Sequence, residues 1–319
     1  MKPKILITDS LFIFEEHEKR LRDAGFEVER LDKPKASEEE LIKAVKDKDG
    51  YILGGIEKVT EPVINAANKL KGIVFSGSDW AGFVPAHELA TKKGIAIANA
   101  PGANSTSVAE YTITLIFMML RRALELGSTG DKTFMTTQSV SDVKIGIVGL
   151  GRIGTKVAKM LKGLGAKDIC YWNRTRKQDL EKELGIKWLS LEELFKTSDV
   201  ITAHVSSQAG QVFTKDLLNK SKDGVLFINT GADPTYDMDA LYELLKAGKA
   251  RAGFDENIKD ERFKKLPLSV WFCSNENTAY NTHAANKLGS DMATETMINI
   301  LTKGDDQYVV NPDFKKARK

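Results

Sequence analysis

Cysteine is nearly missing from this chain: Cys170 and Cys273 are the only two among 319 residues. Two thiols cannot build a disulfide framework or a metal cluster of their own, so no metal is expected. Cys170 falls in an apolar strand pattern and reads as a small core residue. Long hydrophobic runs are missing too, since nothing approaches the ~20 apolar residues needed to cross a bilayer. The opening "MKPKILITDSLFIFEE" carries an apolar patch too short and too interrupted for a secretory leader, so a cytoplasmic protein is expected. Charge of one sign is not in excess. The 47 basic and 44 acidic residues leave +3, which offers nucleic acid no extended cationic face. The Lys and Glu runs read as solvated helix faces.

What is present is an ordinary globular composition, 42% apolar and 29% charged. The length points to two domains, because single cores stop growing near ~250–300 residues. Short β-rich runs, "KILITD" (4–9), "YILGG" (51–55), "GIVFSG" (72–77) and "IAIANA" (95–100), are separated by helical segments such as "EEELIKAVK". A long apolar stretch from Asn104 to Gly127, with possible Ser/Thr caps and arginines near its end, predicts one helix buried between domains or subunits. From Lys144 a second series follows: "KIGIVGL", "DICYWN", "DVITAHV", "GVLFINT", "RAGFD" and "VWFCSN". Strands alternating with helices at this spacing predict parallel, doubly wound α/β sheets. A last helix, "SDMATETMINILTKG", closes the chain.

Gly149-Leu150-Gly151-Arg152-Ile153-Gly154 lies directly after a strand and directly before a helix. That context turns a weak GxGxxG match into a dinucleotide fingerprint. Gly149 permits the tight turn, Gly151 lets backbone approach a pyrophosphate, and Gly154 lets helix and strand pack closely. Glycines serving only a tight turn are the alternative. The second strand of this series ends in Asn173-Arg174-Thr175-Arg176-Lys177, where an acidic residue would hold the ribose of NAD. Guanidinium groups and a hydroxyl suit an added 2′-phosphate instead, so NADP is expected over NAD. A merely solvated basic turn is the competing view.

The glycine loop, "FINTGADPTYDMDAL", "ARAGFD" and the helix "SVAEYTITLIFMMLRR" together resemble the D-isomer-specific 2-hydroxyacid dehydrogenases, over nearly the whole chain. "NRTRK" looks most like the NADP-using glyoxylate reductase branch. The resemblance implies a Rossmann nucleotide domain, residues 104–281, inserted into a split flavodoxin-like substrate domain, residues 1–103 plus 282–319. It implies a homodimer held largely by the 104–127 region and a small-molecule substrate; the charge balance and the lack of long apolar runs leave neither nucleic acid nor membrane expected as partner. It further implies cofactor contacts from Val205, Ser206, Thr230, Gly231, Ala232 and Asp255. Backbone amides of Ser76, Gly77, Ser78 and Asp79 would meet the substrate carboxylate, although the spacing after them is longer than the family's.

In such enzymes an Arg clamps the substrate, a His supplies the proton and a carboxylate tunes the His. Here Ala232 stands at the position of the Arg, Tyr280 at that of the His, and Asp260, five residues after Asp255, at that of the carboxylate. His283 lies three residues beyond Tyr280 and would share a face with it if a helical turn begins there. His17, His87 and His204 read as surface or core residues, His204 contributing more through backbone than ring. Two readings follow. One is an NADP-dependent oxidoreductase with a rebuilt site, in which Tyr280 donates the proton, His283 feeds it, and the substrate is less anionic or has its charge met elsewhere. The alternative is a catalytically degenerate dinucleotide-binding sensor or regulatory protein.

Overall fold

A computed structural model describes residues 2–8, 13–33, 35–130, 135–206, 209–231, 235–274 and 276–318. The chain divides into two compact units: Met1–Asn104 with Thr282–Lys319, and Ser105–Asn281. Both are parallel α/β sheets.

The first unit has strands β1 (Lys4–Thr8), β2 (Glu27–Leu31), β3 (Gly50–Leu53), β4 (Gly72–Phe75) and β5 (Ala96–Ala98), ordered β2-β1-β3-β4-β5. Each neighbouring pair is parallel. Crossover helices cover both faces, which is why β3 and β4 read as unbroken apolar runs and are buried throughout. Strand β2 does not stand out in the sequence. Its "EVERL" mixes three charged residues with two apolar ones because it is an edge strand with half-solvated side chains. Leu6, Tyr51, Leu53, Ile73 and Ile97 pack one face. Ile5, Ile7, Ile52 and Val74 pack the other, with Met297 and Ile300 of the terminal helix His283–Lys303.

The second unit carries β6 (Lys144–Val148), β7 (Asp168–Trp172), β8 (Lys187–Trp188), β9 (Val200–Ala203), β10 (Val225–Asn229), β11 (Ala250–Phe254) and β12 (Trp271–Cys273). Their order is β12-β11-β10-β9-β6-β7-β8, with every pair parallel. The order reverses at β6, so the connections leaving β6 and β9 run in opposite directions, and the crevice in which doubly wound sheets take ligands falls between them. An aromatic cluster of Phe195, Phe213, Phe227, Tyr236 and Phe254 fills one face. Leu115, Ile116, Met119 and Leu120 press the helix Ser105–Leu120 onto the other.

The single helix expected from 104 to 127 is in fact two, Ser105–Leu120 and Ala123–Thr129. Arg122 breaks it, adopting φ 51°, the only positive φ of a non-glycine residue among those described. That conformation disfavours side chains by roughly 1–2 kcal/mol. It is held by a two-pronged contact of the Arg122 guanidinium with Glu125.

Candidate active site

The glycine loop is built by packing at two of its glycines and left open at the third. Gly149 has φ 99°, and a Cβ there would stand 2.4 Å from the His204 carbonyl oxygen. A Cβ on Gly154 would stand 2.1 Å from the carbonyl oxygen of Gly149. Both positions are closed to any side chain, because β6, β9 and the helix Arg152–Gly163 converge there. A Cβ on Gly151 would meet nothing within 4 Å. Gly151 caps that helix, and the helix's first amides have no hydrogen-bond partner among the described residues. Unsatisfied helix N-terminal amides and a gap beside them fit the pyrophosphate of a dinucleotide. Arg152 begins the helix, exposed; Ile153 turns inward against the core.

The loop after β7 is braced on this turn. Asn173 Oδ1 accepts the Leu150 amide at 3.2 Å, and Asn173 Nδ2 donates to the Thr175 carbonyl at 2.8 Å. Arg174 and Thr175 are exposed, and no hydrogen bond or ion pair holds either side chain among the described residues. Arg176 is engaged differently from what its sequence position suggests. Its Nε and Nη2 grip Glu181 at 2.8 and 2.7 Å. Tyr171 also donates to Glu181, at 2.7 Å, and its oxygen receives the Lys177 amide. The guanidinium and the phenol proton hold the Glu181 carboxyl down at about 2, while burial and that carboxylate push the Tyr171 phenol up to about 12. Sequence reasoning passed over Glu181. Its signal was an acid near the start of the helix Gln178–Leu184, within reach of the basic turn.

Past β9, His204 donates its amide to the Val148 carbonyl at 2.8 Å, and its ring nitrogen lies 3.0 Å from the Thr202 hydroxyl. Desolvation pushes the imidazole down to about 3, although part of the residue still meets solvent. It is a neutral side chain whose carbonyl shapes the glycine turn. Val205 and Ser206 follow it at the crevice edge.

At the end of β10, Thr230 Oγ1 lies 3.0 Å from the buried Thr112 hydroxyl. The Gly231 amide donates to Asn229 Oδ1, and Asn229 Nδ2 donates to Glu256 Oε2 at 3.2 Å. Ala232 lies outside the described residues. Glu256, 5% exposed at the end of β11, is a second acidic side chain that sequence reasoning missed; "FDEN" puts it beside Asp255.

Asp255 is committed to the protein itself. Its carboxylate takes the Thr278 amide, the Thr278 hydroxyl at 2.8 Å, the Ala279 amide at 2.7 Å, and has Ser274 Oγ at 2.6 Å. Those donors fill a carboxylate's roughly four lone-pair sites, leaving little capacity for a cofactor. Asp255 therefore ties the stretch leading to Tyr280 onto the sheet. Tyr280 follows in a turn, 39% exposed, and burial, then the Asp255 charge, raises its phenol above 10. Asp260 is drawn off to Arg262, which holds both its oxygens.

In the first unit, His283 opens the terminal helix, with Thr282 in an extended conformation as its cap. Residues 280–282 therefore form no helical turn, and the shared face expected for Tyr280 and His283 is not made. The His283 ring instead stacks on Phe14 with centroids 5.5 Å apart. Of the β4 loop, the Ser76 amide donates to the Leu53 carbonyl. The Ser78 side chain joins the Gly102 amide and the Ala100 carbonyl, and its own carbonyl takes Asn99. Gly77 accepts the Ala100 amide. Asp79 has an interaction partner as well. The loop is thus internally braced, and Ser76 has no amide proton to spare.

Known proteins give this geometry its context. The family profile described as D-isomer specific 2-hydroxyacid dehydrogenase, NAD binding domain, matches residues 113–285. A glyoxylate reductase of Korarchaeum cryptofilum is 31% identical, aligned over 100% of this chain and 98% of its own length. A D-3-phosphoglycerate dehydrogenase of Archaeoglobus fulgidus is 34% identical over 83% of this chain. The chain spans about half of that relative's length, 50%. The TT0316 protein from Thermus thermophilus superposes with a TM-score of 0.83 at 26% identity, over 96% of this chain and 99% of that one. A profile matching more than half of the residues, and a relative aligned almost end to end, place this chain in the D-isomer-specific 2-hydroxyacid dehydrogenase family.

Proposed function

We propose that this chain is an NADP-preferring oxidoreductase that moves a hydride between nicotinamide and the carbonyl carbon of a small hydroxy or oxo compound. The observation that carries the reading is the open space over Gly151 between two glycines closed by packing. It leaves helix amides without partners at a place shaped for phosphate. The basic loop braced on the same turn through Asn173 supports the 2′-phosphate preference. Bound there, the dinucleotide would supply the hydride. The chain's own contribution is to hold the pyrophosphate and to move a proton.

Tyr280 is the proton donor we assign. Its raised phenol stays protonated at neutral pH, and the Asp255 clamp holds the residues just before it. Asp260, paired to Arg262, has no part in this scheme, and His283 serves at most as a separate group. With alanine at residue 232, that position supplies no guanidinium to a substrate carboxylate or forming oxyanion. Loss of one such donor costs ~2.7–4 kcal/mol in the transition state. The substrate class we favour is therefore a carbonyl compound less anionic than a 2-oxo acid. We also propose a homodimer seated on Ile113, Phe117 and Met118, which stay part-exposed on the helix Ser105–Leu120.

Steady-state oxidation of NADPH and NADH against aldehydes, ketones and 2-oxo acids tests the scheme. Turnover with a neutral carbonyl compound and a lower KM for NADPH is expected. Tight NADPH binding with no turnover across the panel would return the sensor reading.

A further inference from the structure

The basic turn after β7 carries several polar or charged side chains that could meet a phosphate, and they are not equivalent. Asn173 braces the glycine loop, and its carbonyl takes the Trp188 indole N–H at 3.3 Å. The Thr175 carbonyl and the Lys177 amide are also bonded, so the backbone is set at both ends. Arg176 is closed in a fork with Glu181, and this is not an ordinary surface pair. The Glu181 side chain is only 13% exposed, against 55% for Arg176, and the Tyr171 hydroxyl donates to the same Oε1 that takes Arg176 Nε. Partly covered bidentate pairs hold far better than exposed ones. The side chains left unengaged among the described residues are Arg174, Thr175 and, at the start of the next helix, Lys177. Of the two cations, only Arg174 offers a planar fork that matches a phosphate; lysine acts as a point charge.

We infer that Glu181 is a specificity-determining residue, withholding Arg176 from the cofactor so that Arg174, with the Thr175 hydroxyl, reads the 2′-phosphate. The inference rests on the NADP reading above and deepens it. Three parts follow from the geometry. Glu181 neutralises the nearer guanidinium and so limits the preference for NADP. Through Tyr171 and the Lys177 amide it also fixes the backbone that presents Arg174. Removing its charge while keeping its shape would therefore free a second guanidinium for the phosphate.

The test is calorimetric titration of adenosine 2′,5′-bisphosphate and 5′-AMP, reported as the ratio of their affinities. Arg174→Ala should lower that ratio at least ~10-fold, as expected for a hydrogen-bonded charge. Arg176→Ala should change it less than ~2-fold in the wild-type background. Glu181→Gln should raise it ~3-fold or more, and adding Arg176→Ala to that variant should abolish the gain. This coupling is one that a purely structural Glu181 would not produce. A wild-type ratio at or below one sinks the NADP reading and this inference with it. A ratio well above one, with Arg176→Ala costing as much as Arg174→Ala, overturns the role of Glu181 alone. So does a Glu181→Gln variant whose ratio stays flat or falls.

Discussion

Gly151→Ala and Gly154→Ala separate what the glycine loop needs for folding from what it needs for a ligand. At Gly154 the new methyl would stand 2.1 Å from the Gly149 carbonyl oxygen and 3.3 Å from Ile147 Cγ2. Neither neighbour is a flexible side-chain end, so the helix Arg152–Gly163 must retreat by on the order of 1 Å. Overpacking of this kind costs ~1–3 kcal/mol. The helix propensity gained on replacing glycine offsets at most ~1 kcal/mol of it. At Gly151 the methyl meets nothing within 4 Å, and φ −84° suits any residue. The fold loses only the difference between glycine and alanine at a helix cap, roughly 1 kcal/mol or less. The same methyl would occupy the space before the helix amides. Losing a single hydrogen bond to a charged group, ~1.5–3 kcal/mol, weakens binding about 10- to 150-fold. Urea unfolding of the cofactor-free variants, paired with NADPH titration, reads both quantities. Gly151→Ala should lose no more than about 1 kcal/mol of stability but most of its affinity; Gly154→Ala should lose stability and affinity together. A Gly151→Ala variant that binds NADPH as tightly as wild type would refute the reasoning, because nothing would then approach that amide.

Tyr280→Phe removes the assigned donor with little change in shape, so kcat should fall ~10²–10⁴-fold while NADPH affinity is retained; unchanged kcat would dismiss Tyr280 as the acid. The pH profile gives an independent reading. A phenol raised above 10 is protonated at all lower pH, so reduction should persist through neutrality and be lost only as pH rises past that shifted value. A decline centred near the ordinary histidine value of ~6.5 would instead implicate His283. Asp255→Ala strands the buried Ala279 amide, at ~1–3 kcal/mol, and removes the acceptor of the exposed Thr278 amide beside it. Lower urea stability and a reduced kcat with intact NADPH affinity are expected; lost NADPH affinity at unchanged stability would make Asp255 a cofactor ligand. Light scattering checks the oligomer, and a monomer at micromolar concentration would remove the interface proposed on Ile113, Phe117 and Met118.

Much of this protein is written in short range along its chain. Buried parallel strands must be continuously apolar, so β3, β4, β6 and β10 are legible without a structure. Gly149, Gly151 and Gly154 announce a phosphate turn because strand, glycines and helix follow one another directly. That Ala232 and Tyr280 stand where the resemblance puts the family's Arg and His is likewise an expectation counted off from neighbouring motifs. What remained hidden depends on partners distant in sequence or on local geometry that propensity does not encode. β2 is an edge strand whose polar faces imitate a loop, and the αL kink at Arg122 splits an otherwise uniform helical pattern. The tertiary structure alone decided that Asp255 spends its carboxylate on Ser274, Thr278 and Ala279 and that Asp260 turns to Arg262. It alone withdrew Arg176 into Glu181. A sequence states which charges are available. Folding determines which of them cancel one another, because a hydrogen-bonded ion pair is set by distances of about 3 Å that only the packed chain defines.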